Sequence, residues 1–145
     1  MEKRKIKEIV WMIVCFICVM EIYSGFHKVQ SKELSGIPDA INSISFNTTE
    51  HLTVIANQEE IADKNTLAKQ IIKMCQENSF QSIKFSYDMV CPTELQIIVY
   101  KTEKDFDENK QFCEIAYLSE ARNEEYDILH NPEKFTMYVD GRIVK

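Results

Sequence analysis

The chain has 145 residues, a formal net charge of −6 at pH 7, and 45% hydrophobic and 28% charged residues. From residue 28 onward, 13 Lys and Arg residues stand against 20 Asp and Glu residues, which leaves a net charge of −7. This acidity argues against nucleic acid as a partner, because nucleic-acid binding requires a basic surface, and the length allows only one small domain.

The N-terminal region predicts a membrane anchor. Residues 1–8 form a basic head, and residues 9–26 form an apolar segment. As a helix rising about 1.5 Å per residue, this segment would reach roughly 27 Å, close to the thickness of a bilayer core. Trp11 and Tyr23 lie near its two ends, where amphipathic rings sit at the lipid headgroups. We therefore predict a transmembrane signal-anchor helix in the lipid bilayer, with Trp11 and Tyr23 as interfacial anchors.

The charges that flank this segment predict its orientation. Flanks rich in Lys and Arg tend to stay on the cytoplasmic side of a membrane. The basic residues before the segment are Lys3, Arg4, Lys5 and Lys7. We therefore expect a single-pass protein of the cell membrane, with its N-terminus cytoplasmic and its C-terminal domain extracytoplasmic.

A cleaved signal peptide is the alternative, because a basic start followed by an apolar run is also typical of such a peptide. Cleavage favours small residues near the cut, as in Ala-x-Ala. Residues 21–26 instead offer Ile22 or Tyr23 at the position that should be small. The sequence favours an uncleaved anchor and leaves a secreted protein as the alternative.

Glu21 is the only charged residue between residues 9 and 26. It lies close to the outer end of the predicted span, where a carboxylate can reach the headgroups at little cost. Acidic residues in membrane spans also pair with basic or polar groups on other helices. Glu21 is therefore either an interfacial side chain or the contact with a partner helix in the membrane.

The region after the span predicts a tether and a domain. Residues 27–40 are mostly polar, contain one Gly and one Pro, and show no sustained period, which is typical of a tether. The domain, 41–145, begins with two short alternating segments, 44–46 and 52–56. Turn-forming residues 47–51 separate them, so we predict a first β-hairpin.

The segment after Asp63 predicts the main helix of the domain. Its apolar residues recur at three- and four-residue spacings and would line one helix face. These residues are Leu67, Ala68, Ile71, Ile72 and Cys75. Asp63 or Asn65 can cap the first turn, and residues 78–79 are a plausible end of the helix.

Alternating or apolar segments after the helix predict four more strands. They span residues 83–89, 95–100, 112–118 and 134–139. We expect the first two to form a second hairpin, and Asp140-Gly141 to form a tight turn after the last. Strands around one amphipathic helix predict an α+β fold, with one antiparallel sheet packed against one main helix.

Residues 105–109 resemble the first half of a calcium-binding loop. Lys110 then occupies the position where such loops require Gly, and Ala116 the position of the bidentate Glu. We therefore interpret the segment as a solvated acidic turn between two strands.

The remaining candidate ligands and nucleophiles are scattered. The histidines, His27, His51 and His130, do not have the spacing of metal ligands. Cys75 and Cys113 are expected to be buried thiols, whereas Cys91, next to Pro92, is the best candidate for an exposed one. We predict no catalytic, cofactor-binding or metal-binding residue.

These observations favour a non-enzymatic, membrane-anchored protein whose small domain binds an unknown protein, or serves as an accessory component of a membrane complex. The partner can itself be a membrane protein. The alternatives are a cell-envelope hydrolase that uses acids within residues 103–127, and a sensor module for a small ligand. A deep cleft with convergent polar groups would favour these alternatives, whereas an exposed apolar patch or a free strand edge would favour a protein partner.

Overall fold

A computed structural model of the chain describes residues 35–88, 91–120 and 125–144. All of them belong to one compact unit, Leu34–Lys145. The predicted span, 9–26, lies outside the described residues, so the anchor and its orientation stay predictions. Among the described helices, none combines the length and the apolarity that crossing a bilayer requires.

The described domain contains one sheet of six strands and one main helix. The strands lie in the sheet in their order along the chain. The elements are β1 (Asp39–Phe46), β2 (Thr49–Ile55), α1 (Lys64–Glu77), β3 (Glu94–Tyr100), α2 (Glu103–Asp107), β4 (Cys113–Ser119), a 3₁₀ turn (Pro132–Lys134), β5 (Phe135–Val139) and β6 (Arg142–Ile143).

The sheet is mixed, and the prediction of a purely antiparallel sheet is wrong. Strands β2 and β3 run parallel, with Thr49 opposite Glu94 and Ile55 opposite Tyr100. The other neighbouring strands are antiparallel. Helix α1 lies between β2 and β3 in the chain, and such a crossover is what allows two consecutive strands to run in the same direction. The small domain with one sheet and one main helix is as predicted.

The predicted strand over residues 83–89 is also wrong, since residues 83–88 form no part of the sheet. Strand β3 has β2 on one side and β4 on the other, so it offers no free edge to this segment. The apolar alternation nevertheless has a structural role. Ile83, Phe85 and Tyr87 are half-buried and pack against the core, while the residues between them are exposed.

Helix α1 follows the prediction closely. The Asp63 carboxylate accepts hydrogen bonds from the backbone N–H groups of Asn65 and Thr66, so Asp63 is the N-cap. The helix ends at Asn78, which has a left-handed conformation with φ of 51°. Its apolar face, including Cys75, is buried.

The start of the domain differs from the sequence boundary by two residues. Strand β1 begins at Asp39, within the predicted tether, because Asp39 pairs with Ile55 of β2. Its carboxylate also accepts hydrogen bonds from the backbone N–H groups of Gln81 and Ser82. The first hairpin turns at residues 47–48. The predicted turn at Asp140-Gly141 is present, and both residues have positive φ, as a tight hairpin turn of this kind requires.

The two faces of the sheet have different environments. The inner face packs against α1 and forms the core with buried residues such as Val54, Ile97 and Ile115. The outer face, defined by the alternate residues of the same strands, leaves large apolar side chains in contact with solvent. These are Ile44, Phe46, Ile98 and Ile143, with exposed fractions of 59%, 69%, 39% and 62%.

Candidate functional site

The residues that the sequence singled out in the membrane segment, Glu21, Trp11 and Tyr23, lie outside the described residues. Their roles therefore stay predictions. Within the described domain, three places bring polar or reactive side chains together or expose apolar ones. They are the outer face of the sheet with its free edge, a cavity beside Glu50, and a cluster around Asp127.

Strand β1 forms a long edge of the sheet, and no other strand of the described residues pairs with its far side. Its pairing with β2 is irregular between Ala40 and Asn42, a bulge that protects the start of the strand and leaves residues 42–46 as the regular edge. The strand has eight residues, of which only Asp39, at its start, is charged, and none is Pro. Edge strands usually carry Lys, Pro or other features that prevent pairing with another chain. The opposite edge, β6, has only two residues. Strand β1 is therefore the place where an additional strand can join this sheet.

The outer face next to this edge carries a shallow groove of about 260 Å³. Ile44, His51, Ile98 and Glu114 are among the residues that line it. At its far end, the face is covered, because Phe106 of α2 packs edge-on against Tyr100 with ring centroids 5.2 Å apart. The groove thus extends from the free edge towards the centre of the sheet.

The charged residues of the outer face are acidic. Strand register brings Glu94 and Glu114 to this side, and no outward strand position of β1–β6 holds Lys or Arg. This local charge has the same sign as the whole domain. A binding partner with basic groups would therefore be attracted to this face.

The inner side of the β1–β2 hairpin contains a cavity of about 340 Å³. Ser43, Ser45 and Glu50 contribute to one wall, and residues 84–87 to the opposite wall. Glu50 is only 6% exposed. The hydroxyl of Ser43 donates a hydrogen bond to one oxygen of the Glu50 carboxyl group, and the hydroxyl of Ser45 donates to the other.

Two protonated side chains lie near this cavity. Burial, together with a smaller contribution from the negative charge of Glu50, raises the pKa of Cys75 to about 12. Burial also raises the pKa of Tyr87, with smaller contributions from Cys75, Cys91 and Glu50. The Tyr87 hydroxyl donates a hydrogen bond to the carbonyl oxygen of Cys75. Neither group is a nucleophile at neutral pH, because nucleophilic attack requires the deprotonated form.

Glu50 was not among the residues that the sequence singled out. Residues 47–51 have turn chemistry, which concealed that Glu50 belongs to β2. The sequence could have indicated this from the spacing of Glu50, Leu52 and Val54. Residues two apart in a strand face the same side, so the Glu50 carboxylate lies on the core side with Leu52 and Val54. Ser43 and Ser45 repeat that pattern on the neighbouring strand.

The third place is a chain of contacts from Cys91 through Asp127 to His130. The Cys91 thiol lies 3.3 Å from Asp127 Oδ1, and His130 Nδ1 lies 2.8 Å from Asp127 Oδ2. A catalytic cysteine needs a base such as His beside its sulfur, whereas here the carboxylate separates the two. Burial and the hydrogen bond to Asp127 raise the pKa of Cys91 to about 11. The cluster therefore keeps a protonated thiol and does not form a nucleophile.

The acidic segment 105–109 connects β3 and β4, as predicted, but only residues 108–109 form a turn. Residues 103–107 form the short helix α2, whose first turn is capped by the Thr102 side chain. Across the described parts of the chain, no three His, Cys, Asp or Glu side chains are grouped so that they could hold a metal ion. Comparison with known proteins adds no further candidate, since no protein-family model, curated protein or solved structure matches this chain.

Proposed function

We propose that this chain is a non-enzymatic, single-pass membrane protein whose domain binds an extended segment of another protein. The anchor is residues 9–26, with the N-terminus cytoplasmic and the domain extracytoplasmic, so that the protein serves as an accessory component of a membrane complex. One observation carries the binding role. Among the described residues, β1 is an edge strand that carries no charge after Asp39, and its own side chains Ile44 and Phe46 are exposed.

Strand addition is the binding mode that this edge supports. The backbone N–H and C=O groups on the free side of β1 can pair with an extended chain, while alternate side chains of that chain pack on the sheet. Ile44 and Phe46 both face outward, because they are two residues apart on the strand. A bound segment would cover their apolar surface.

Charge defines the partner further. The outer face carries Glu94 and Glu114, and residues 28–145 have a net charge of −7. A second copy of the chain would bring two acidic domains together, which is unfavourable. We therefore propose a different protein, whose extended segment has alternating apolar residues and at least one Lys or Arg.

The hydrolase alternative has less support. Its acids would come from residues 103–127, and these lie at opposite ends of β3. The acids of α2 follow the end of β3. Asp127 lies near the start of β3, because the N–H of the next residue, Ile128, donates a hydrogen bond to the carbonyl oxygen of Pro92. The seven residues of β3 span roughly 20 Å at about 3.3 Å per residue. Glycosidase carboxyl pairs lie about 5–9.5 Å apart, so these two acidic groups are too far apart to act as a pair.

The membrane segment contributes a second contact to the proposal. Glu21 would pair with a polar or basic group on a helix of the partner. In cells, we expect Glu21→Leu to reduce the amount of partner crosslinked to the full-length chain, and Glu21→Gln, which keeps hydrogen bonding, to reduce it less. If crosslinking and protein level are the same in all three chains, Glu21 is only an interfacial residue.

The edge is tested with a defined peptide and the full-length chain in detergent micelles. The probe is a fluorescent ten-residue peptide of alternating Val and Thr with Lys at each end, and the readout is fluorescence anisotropy. We expect Ile44→Lys and Phe46→Lys to weaken binding at least about tenfold, which is ~1.4 kcal/mol. Ile143→Lys, the same change at the other edge of the same face, should stay within about twofold of wild type, since only β1 receives the strand.

Three results would contradict parts of this proposal: equal binding of Lys-ended and Glu-ended peptides, equal binding by the three Lys variants, and a stable dimer of the chain. A peptide with Glu at each end should bind more weakly at low salt, and the difference should shrink as salt screens the charges. Equal binding by all three Lys variants would exclude β1 as the site. A stable dimer of the full-length chain that Ile44→Lys disrupts would replace the proposed partner with a second copy.

A further inference from the structure

We infer that the cavity beside Glu50 binds the primary ammonium group of a small organic amine. This site lies on the inner side of the β1–β2 hairpin, whereas the proposed protein contact lies on the outer face and edge. The inference therefore does not depend on the proposed function. It rests on the burial of Glu50, on the neutral groups around its carboxylate, and on the walls of the cavity.

The first step concerns the cost of burying Glu50. Its side chain shares the inner face of β2 with Leu52 and Val54, which are 2% and 0% exposed. A carboxylate in such surroundings loses hydration, and hydrogen bonds from neutral hydroxyls compensate only in part. Ser43 and Ser45 provide hydroxyls of this kind. A positive charge beside Glu50 would therefore be strongly favoured.

The second step is that no ion pair between the described residues of the domain supplies this charge. The ion pairs between described residues do not include Glu50. Lys84 lines the cavity, but its ammonium group donates a hydrogen bond to the carbonyl oxygen of Asn78, at 3.0 Å. Asn78, at the end of α1, thus binds the ammonium group of the one Lys among the described lining residues, and the Glu50 carboxylate is left for a ligand.

The third step concerns the size and character of the walls. A volume of about 340 Å³ lies at the lower end of the range for small-molecule sites. Phe85 and Tyr87 line one side with stacked rings, 5.3 Å between centroids and 20° between planes. Pro92 adds another apolar surface. A small amine with an apolar or aromatic body fits both the charge and the walls.

A metal ion fits this cavity less well. Calcium and magnesium take six or more oxygen ligands, usually from several carboxylates and carbonyls, whereas Glu50 is the only acidic residue among the described residues that line the cavity. An ammonium group needs fewer acceptors. It has three N–H donors, and the two oxygens of Glu50 and the hydroxyl oxygens of Ser43 or Ser45 can accept them.

The test uses the full-length chain in detergent micelles and three matched probes. They are 2-phenylethylammonium, the neutral 2-phenylethanol and the anionic phenylacetate, each titrated by NMR. Because only the first carries a positive charge, we expect it to bind at least tenfold more tightly than the other two. Equal binding of the ammonium and the alcohol would overturn the inference.

Two variants and one control localise the binding. Glu50→Gln keeps the shape of the side chain and should remove the preference for the ammonium, without lowering the melting temperature of the free chain. Ser86→Trp, at an exposed position of the cavity wall, should block all ammonium binding and does not disturb the core. Glu94→Gln makes the same charge change on the outer face and should bind like wild type.

Each result of these variants is informative. If Glu50→Gln does not fold, Ser86→Trp alone decides, because retained ammonium binding in that chain would exclude the cavity. If Glu94→Gln weakens binding as much as Glu50→Gln, the amine is attracted by the general acidity of the domain, and the inference is wrong.

Discussion

The side chain of Asn78 forms two hydrogen bonds with the backbone of Phe85. Its Nδ2 donates to the Phe85 carbonyl oxygen and its Oδ1 accepts from the Phe85 N–H, both at 2.8 Å. A single amide side chain thus gives Phe85 the two bonds that a neighbouring strand would otherwise provide. This arrangement allows residues 83–86 to lie against the core without joining the sheet, before the turn at residues 87–88.

We predict that Asn78 stabilises this segment more than it stabilises the helix end. Asn78→Gly permits the positive φ at the end of α1 but removes both hydrogen bonds, so we expect a loss of about 1–3 kcal/mol. Asn78→Ala should lose about 1 kcal/mol more, because a residue with a Cβ is strained in this conformation. Urea unfolding followed by tyrosine fluorescence measures both losses.

Hydrogen exchange separates this role from a general loss of stability. The amide of Phe85 should exchange much faster in Asn78→Gly, while the amides of β3 change only as far as global stability changes. Unchanged protection at Phe85 would contradict the proposed role of Asn78.

The segment 83–88 also indicates what the sequence can and cannot predict. The alternation of Ile83, Phe85 and Tyr87 predicted correctly which side chains face the core, because burial depends on side-chain polarity. It did not predict the hydrogen-bond partner, since a period of two is common to any extended chain against a core. The wrongly predicted strand 83–89 also concealed the parallel pairing of β2 and β3. Without that strand, β2 and β3 are consecutive in the chain and are connected through helix α1, which lets them run in the same direction.

Helix α1 and the last hairpin were predictable because their signals are local. A helix cap such as Asp63 and a turn such as Asp140-Gly141 determine the structure of residues that are close to them in the chain. The candidate sites are not local. Glu50 became a candidate only when the fold brought residues 84–87 across from it, and Cys91 and Asp127 are 36 residues apart in the chain.

Asp39 predicts a dependence of stability on pH. Burial acts to raise its pKa, but hydrogen bonds from Ser82 and Gln81 outweigh this effect and hold the pKa below its usual value of 3.8. A carboxyl group whose pKa is lower in the folded state stabilises the fold above its unfolded pKa, and this contribution is lost as the pH falls through the folded pKa. Stability should therefore decrease as the pH falls below about 4.

The variant Asp39→Asn isolates this contribution. It keeps an oxygen that can accept from the backbone of residues 81 and 82 but does not titrate. The difference in unfolding free energy between wild type and Asp39→Asn should be largest near neutral pH and shrink towards pH 2. A difference that stays constant over this range would mean that Asp39 does not titrate with a lowered pKa.

Cys91 should react slowly with thiol reagents. Its pKa of about 11 leaves about a hundredfold less thiolate at pH 8 than an ordinary cysteine has. Asp127→Asn keeps the acceptor for the backbone N–H groups of Leu129 and His130 and removes the negative charge. We expect iodoacetamide to label Cys91 several-fold faster in this variant, as measured by peptide mass spectrometry. Equal rates in the two folded chains would show that burial alone protects the thiol.

Asp140 joins three parts of the domain, and its contributions can be separated by two substitutions. Its Oδ1 accepts from the N–H of Glu114 at 3.0 Å, and its Oδ2 lies 2.7 Å from Lys64 Nζ. Its φ is 49°.

Asp140→Asn keeps the hydrogen-bond acceptor and the tolerance for positive φ. The ion pair that it loses is solvent-exposed, so we expect it to lower the free energy of unfolding by less than about 1 kcal/mol. Asp140→Ala also loses the acceptor and strains the turn, so its cost should reach about 2–3 kcal/mol. Chemical unfolding of both variants checks this order, and equal losses would mean that the ion pair with Lys64 contributes most of the stabilisation.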